Sequence, residues 1–194
     1  MATRIASYIT NKMLAASIIE EDDRELYCYG FFLLISGLFF FFVTLVAGFL
    51  AGDPCESVIF YIVFMLLRTY AGGVHAKTET VCTVLTTLAL TASVFGIRVT
   101  KQMNYSEIPL LMFASGSLCI LLFSPLEAKD KPLEELERKK YRSVCISIVL
   151  SCITVALIAY RLSINSILWP IAFGVCLEGI LLIIGKSSCV KNKG

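Results

Sequence analysis

Charge is scarce in this chain. Asp, Glu, Lys and Arg make up 16% of its 194 residues and apolar types 57%, whereas a soluble domain is about a quarter charged and about half apolar. The mean hydropathy is +0.80. Surface still dominates at this length, so no interior is large enough to hide the excess. Lipid is the remaining solvent, which excludes a soluble enzyme, a disordered chain and a nucleic-acid-binding domain. Histidine occurs once, and there is neither a Cys-x-x-Cys pair nor a Cys/His cluster, so no metal site and no cofactor is expected. The eight cysteines do not read as a disulfide framework. Cys119, Cys145, Cys152 and Cys176 sit inside apolar runs, where a thiol behaves as a small hydrophobe. The first 29 residues carry Arg4, Lys12 and Arg24 without the apolar core and cleavage site of a signal peptide. Internal repeats and low-complexity tracts are also missing, so the chain reads as one integral membrane domain, 1–194. The net charge of +2 identifies no partner, because placement matters more than total.

What is abundant is apolar runs. Crossing the hydrocarbon takes about 20 apolar residues in a helix, and six segments are candidates, the second of them short: 30–51, 57–67, 80–97, 108–126, 143–160 and 164–185. The expected fold is therefore all-α, a polytopic membrane protein with six transmembrane helices. One long hydrophilic stretch, 127–142, separates the fourth and fifth. Orientation follows from the basic residues in the connections. With the N-terminus in the cytosol, only Arg98, Lys101 and Arg161 of the seventeen Lys and Arg lie outside. Removing the second crossing alone would reverse that bias. The rival arrangement has segments two and three as a re-entrant pair, which leaves the later orientation intact. Ile5, Ile9, Ala16 and Ile19 stand at roughly helical spacing before the acidic run at 20–25. They predict an N-terminal interfacial amphipathic helix within 1–29, lying on the inner leaflet.

Polar residues inside a membrane protein are informative because lipid tolerates few of them. They gather in the stretch 68–80, which contains Arg68, Gly72, Gly73, His75, Thr78 and Glu79, with Cys82 just beyond. The apolar run before it, 57–67, rises only about 16 Å as a helix, against a hydrocarbon core of about 30 Å. Something past Leu67 must lie deep. Either Arg68 snorkels to the inner interface or the loop is drawn into the membrane. Gly72 and Gly73 permit backbone angles that end a helix. Thr78 can cap the next one, with Glu79 in its first turn, where negative charge suits the helix dipole. A thiol at a helix N-terminus near a basic group favours the thiolate, the nucleophilic form, and imidazole is the natural partner base. His75 and Cys82 are seven residues apart, about 10 Å along an unbroken helix, whereas a proton must pass over about 3 Å. A Cys/His dyad is thus open only if a loop intervenes, which the glycines supply. The plainer alternative is a solvated histidine and a packed cysteine. Glu178, the acidic residue within the later crossings, is either paired inside the bundle or part of a polar cavity.

The block Arg68-x-Tyr70-Ala71-Gly72-Gly73-Val74-His75-Ala76, with Cys82 seven residues after the histidine, resembles the signature of the accessory gene regulator B family. Arg24-Glu25-Leu26-Tyr27-x-Tyr29-Gly30 and Ser124-Pro125-Leu126-Glu127 extend the resemblance over most of the chain. It implies a membrane cysteine endopeptidase that processes the precursor of a Gram-positive quorum-sensing peptide. His75 and Cys82 would be catalytic, the cleaved precursor being held as a Cys thioester and released as a thiolactone or lactone. Arg68, Gly72, Gly73, Glu79 and Glu178 are candidates for binding substrate or positioning the loop. The expected partners are the precursor peptide and the lipid bilayer, with a homodimer suggested by the modest size of a six-helix bundle and no nucleic acid. The expected location is the cell membrane, both termini cytosolic. The competing readings are a small transporter or peptide exporter without proteolytic activity, and a noncatalytic membrane partner.

Overall fold

A computed structural model describes residues 2–72, 78–102, 107–126 and 135–191. Among them are seven α-helices: α1 (Ala2–Ala15), α2 (Arg24–Ala51), α3 (Pro54–Ala71), α4 (Glu79–Gln102), α5 (Ile108–Phe123), α6 (Glu135–Arg161) and α7 (Asn165–Lys191). No strand occurs among the described residues, in line with an all-α fold. Helices dominate because lipid offers backbone groups no partner, so each segment must satisfy its own N–H and C=O. Five stretches are long and apolar enough to cross a membrane: Glu21–Ala51, Pro54–Ala71, Glu79–Gln102, Glu135–Arg161 and Asn165–Ser187. The remaining apolar helix, α5, is shorter, with 16 residues.

The chain divides into two compact units, Met1–Val43 and Thr44–Gly194. In the first, α1 buries Ala6 and Thr10, while Ile5 is exposed. The helix stops at Ala15, before the Ala16 and Ile19 of the expected apolar face. Ser17 is the cause: it takes φ 55°, and Ile18 N–H donates back to Met13 O at 3.0 Å, a left-handed helix ending. Arg24, opening α2, donates to Asn11 Oδ1 from Nε and Nη2, both at 3.2 Å. Ser7 and Cys28 lie 3.4 Å apart through their side-chain heteroatoms.

In the second unit α7 packs against α3, α4, α5 and α6. Its core joins Val63, Leu67 and Ala71 of α3 to Phe113 and Ile120 of α5, Val149 and Ala156 of α6, and Leu168, Val175 and Leu182 of α7. Two glycines bring α5 and α7 together. A Cβ on Gly116 would stand 2.6 Å from Val175 O and 2.8 Å from Cys176 Cα, and one on Gly179 3.0 Å from Gly116 Cα. Small residues permit such close backbone approach where packing rather than water drives association.

Five helices, α2, α3, α4, α6 and α7, exceed their apolar runs, and two of them bear on the site. α3 has 18 residues, about 27 Å at the helical rise, and not the eleven of 57–67. Pro54 starts it, where the missing N–H costs nothing, and Arg68–Ala71 continue its last turn. α6 begins at Glu135, so the second half of the hydrophilic stretch 127–142 is helical, and 127–134 lies outside the described residues. At the far end of α3, Glu56 pairs with Lys101 of α4, whose ammonium also donates to Ser166 Oγ at 3.5 Å.

Candidate functional site

Thr78 starts α4 as a side-chain cap. Its Oγ1 accepts the Val81 N–H at 3.4 Å, and its carbonyl accepts the Cys82 N–H at 3.1 Å. An oxygen acceptor two or three residues ahead of a first-turn amide is the usual N-cap arrangement. Glu79 is the first helical residue, and Cys82, half-buried and not in a disulfide, closes the first turn. His75 and Gly73 lie outside the described residues. The helix boundaries leave His75 four residues before α4 and Cys82 within it, so no described helix runs through both.

The end of α3 is fixed from two directions. Gly72 adopts φ 77° and ψ −156°, a region essentially restricted to glycine. It forms a parallel bridge with Leu126, whose N–H donates to Ala71 O at 2.8 Å. A side chain at Gly72 would collide with the Leu126 carbonyl oxygen. From the other side, Arg68 Nη1 donates to Gly72 O at 3.2 Å. The same nitrogen lies 3.8 Å from Glu178 Oε1. The Arg68 side chain is 22% exposed and that of Glu178 is wholly buried. Of the two sequence alternatives for Glu178, pairing inside the bundle is the one the geometry displays. Arg68 brings its guanidinium to Glu178 while keeping part of its side chain exposed.

Tyr70, on the last turn of α3, meets Tyr141 of α6 edge-on, ring centroids 5.9 Å apart. Blocks far apart in sequence therefore converge here: 68–72, the Ser124-Pro125-Leu126 segment, the first turns of α6 and the middle of α7. Sequence reasoning passed over Tyr141 and the backbone role of Leu126. The Ser124-Pro125-Leu126-Glu127 block carried a signal, but nothing in it says that an amide will pair with Ala71. Lys129 and Lys131 lie outside the described residues. Among the described residues no group of three His, Cys, Asp or Glu side chains gathers to hold a metal.

Chemically, the arrangement offers a half-buried thiol on the first turn of a capped helix. The first-turn N–H groups of such a helix face the chain end rather than the helix interior and favour negative charge. An anchored glycine corner starts the chain on its way to that turn.

Several known proteins are similar to this chain over most of its length. AgrB-like protein 2 of Clostridium perfringens is 27% identical over 145 residues, covering 72% of this chain and 68% of that protein. An AgrB-like protein of Halalkalibacterium halodurans is 28% identical over 184 residues, 94% of this chain and 87% of the other. Protein FsrB of Enterococcus faecalis is 27% identical over 158 residues, 76% of this chain and 60% of its own length. No solved structure matches. The sequence model described as accessory gene regulator B matches residues 2–182, which takes in α1, both sides of the glycine corner, Cys82 and Glu178. The chain belongs to the accessory gene regulator B family.

Proposed function

We propose that this chain is a membrane cysteine endopeptidase acting on the precursor of a quorum-sensing peptide. The observation that carries the reading is the family match over residues 2–182 joined to the position of Cys82 in the first turn of the capped α4. In this reading His75 takes the Cys82 proton, and the thiolate adds to the scissile carbonyl. The proton then passes to the leaving amine, the C-terminal tail departs and the remainder stays bound as a thioester. A Cys or Ser of the substrate attacks that thioester, freeing Cys82 and closing a thiolactone or lactone ring. Exchange of one thioester for another is nearly isoenergetic, so the activated bond survives if water is kept away. The first-turn amides of α4 not already bonded to Thr78 are the candidate oxyanion donors.

The topology that serves this chemistry has six crossings, α5 being the short one, with both termini, the glycine corner and the start of α6 at the cytosolic face of a Gram-positive cell membrane. A newly made precursor arrives on that side. α1 lies on the inner leaflet, and two copies associate in the bilayer. Neither a metal nor a cofactor takes part.

The test is co-expression with the cognate precursor, following cleaved precursor and cyclic product. Cys82→Ala and His75→Ala are each expected to lower cleavage by about a thousandfold or more, and wild-type enzyme trapped with substrate should yield an acyl adduct on Cys82. Undiminished cleavage by both variants rules the dyad out.

A further inference from the structure

We infer that Glu178 is a positioning residue for the reaction at Cys82, acting through Arg68 on the backbone at Gly72. The inference rests on the endopeptidase reading above and adds a residue to it from the far side of the bundle.

Glu178 sits within α7 with its side chain wholly buried, and among the described residues neither carboxylate oxygen has a hydrogen-bond partner. A buried carboxylate without donors is costly, and native structures hold few such groups without a use for them. The charge facing it is the Arg68 guanidinium, 3.8 Å away. Left alone, an arginine near the end of a membrane helix extends its head group to interfacial water. The carboxylate draws it inward, and from there Arg68 Nη1 reaches Gly72 O at 3.2 Å.

That carbonyl belongs to the peptide by which the chain leaves the corner towards His75, three residues on. Leu126 N–H, bonded to Ala71 O at 2.8 Å, holds the preceding peptide beside the bridge from Gly72 to Leu126. The bond from Arg68 adds a second anchor, on the Gly72 carbonyl itself. Glu178 therefore supports the carbonyl at which the corner ends, acting through Arg68 and not on substrate or thiol. A pair kept only for stability would be replaceable by two apolar side chains, since such replacement is often neutral or stabilising. A positioning pair is not replaceable, because the donor to Gly72 O is lost with it.

The experiment uses the full chain in membranes with its cognate precursor, comparing wild type, Glu178→Gln and the double variant Arg68→Met/Glu178→Met, with Cys82→Ala and His75→Ala alongside. Cleavage is expressed per membrane-resident copy. Alkylation of Cys82 by iodoacetamide at neutral pH, mapped by mass spectrometry, is followed without substrate. Cleavage per copy is expected to fall tenfold or more in both Glu178 variants, and their alkylation of Cys82 to slow towards the His75→Ala rate. Wild-type cleavage per copy by the double variant makes the pair structural and overturns the inference. So does unchanged alkylation in Glu178→Gln, even where cleavage falls. If Cys82→Ala is inert while Glu178→Gln cleaves normally, only this inference fails. If Cys82→Ala still cleaves, the endopeptidase reading itself fails.

Discussion

Gly72 is the residue on which the corner turns. Its φ of 77° and ψ of −156° cost a side-chain-bearing residue about 1–3 kcal/mol in strain alone, and a Cβ there also runs into the Leu126 carbonyl. Gly72→Ala is expected to lower stability by at least that amount, read as a drop in melting temperature in detergent micelles, and to reduce cleavage per copy. Gly30, which opens the apolar part of α2, is different: a Cβ placed there would meet nothing within 4 Å. Gly30→Ala should therefore be neutral or slightly stabilising, since alanine favours a helix interior by about 1 kcal/mol over glycine. The two glycines look alike in sequence and differ only in what stands beside them. Arg68 and Glu178 were legible as polar positions that lipid would not keep without reason, and Gly72 as the end of a helix. Their partners were not, because Gly72 O and Ala71 O are backbone atoms that every residue possesses.

At the scale of elements, α4 depends on its cap and α5 on its closeness to α7. Replacing Thr78 by Val removes the oxygen that receives the Val81 N–H and should cost about 1 kcal/mol, visible as faster hydrogen exchange at the first turn of α4. Gly116→Val forces a side chain into the 2.6 Å gap before Val175 O. Overpacking of this kind typically costs about 1–3 kcal/mol, so the variant should unfold at lower temperature while the ends of α3 and α4 keep their wild-type caps. Hydropathy located the apolar helices but misjudged many of their ends, for a physical reason. Apolar runs mark the part of a helix that faces lipid, whereas helical hydrogen bonding continues as long as the backbone permits. Hence α3 runs on through Arg68 to Ala71, stopped by glycine geometry and not by polarity, and α6 starts among the charges at Glu135. The N-terminal helix was legible as a helix, but its end at Ala15 depends on the left-handed Ser17, which apolar spacing does not encode.

For the whole molecule, composition alone identified the solvent, and the basic residues assign the sides. That assignment is open to direct measurement. With the native cysteines replaced, Glu137→Cys, at the start of α6, should react with a membrane-impermeant maleimide only in inverted vesicles, and Ser163→Cys, just after its end, only in intact spheroplasts. Labelling of both from one side would contradict the crossing of α6. Length and apolar count could not show that α7 lies among four other helices, since α2 and α7 are comparably apolar in sequence. The difference is set by packing: glycines at 174 and 179 let neighbours approach α7 closely, whereas the end of α2 leaves Phe49 and Leu50 exposed. This placement has a consequence for biosynthesis. The carbonyl of Ala71 finds its partner only when the ribosome has delivered Leu126, and Arg68 finds its counter-charge only when α7 has entered the bilayer. A nascent chain that already displays Cys82 still lacks both supports of the corner, so any activity that depends on them switches on late, once Leu126 and α7 have been made and inserted.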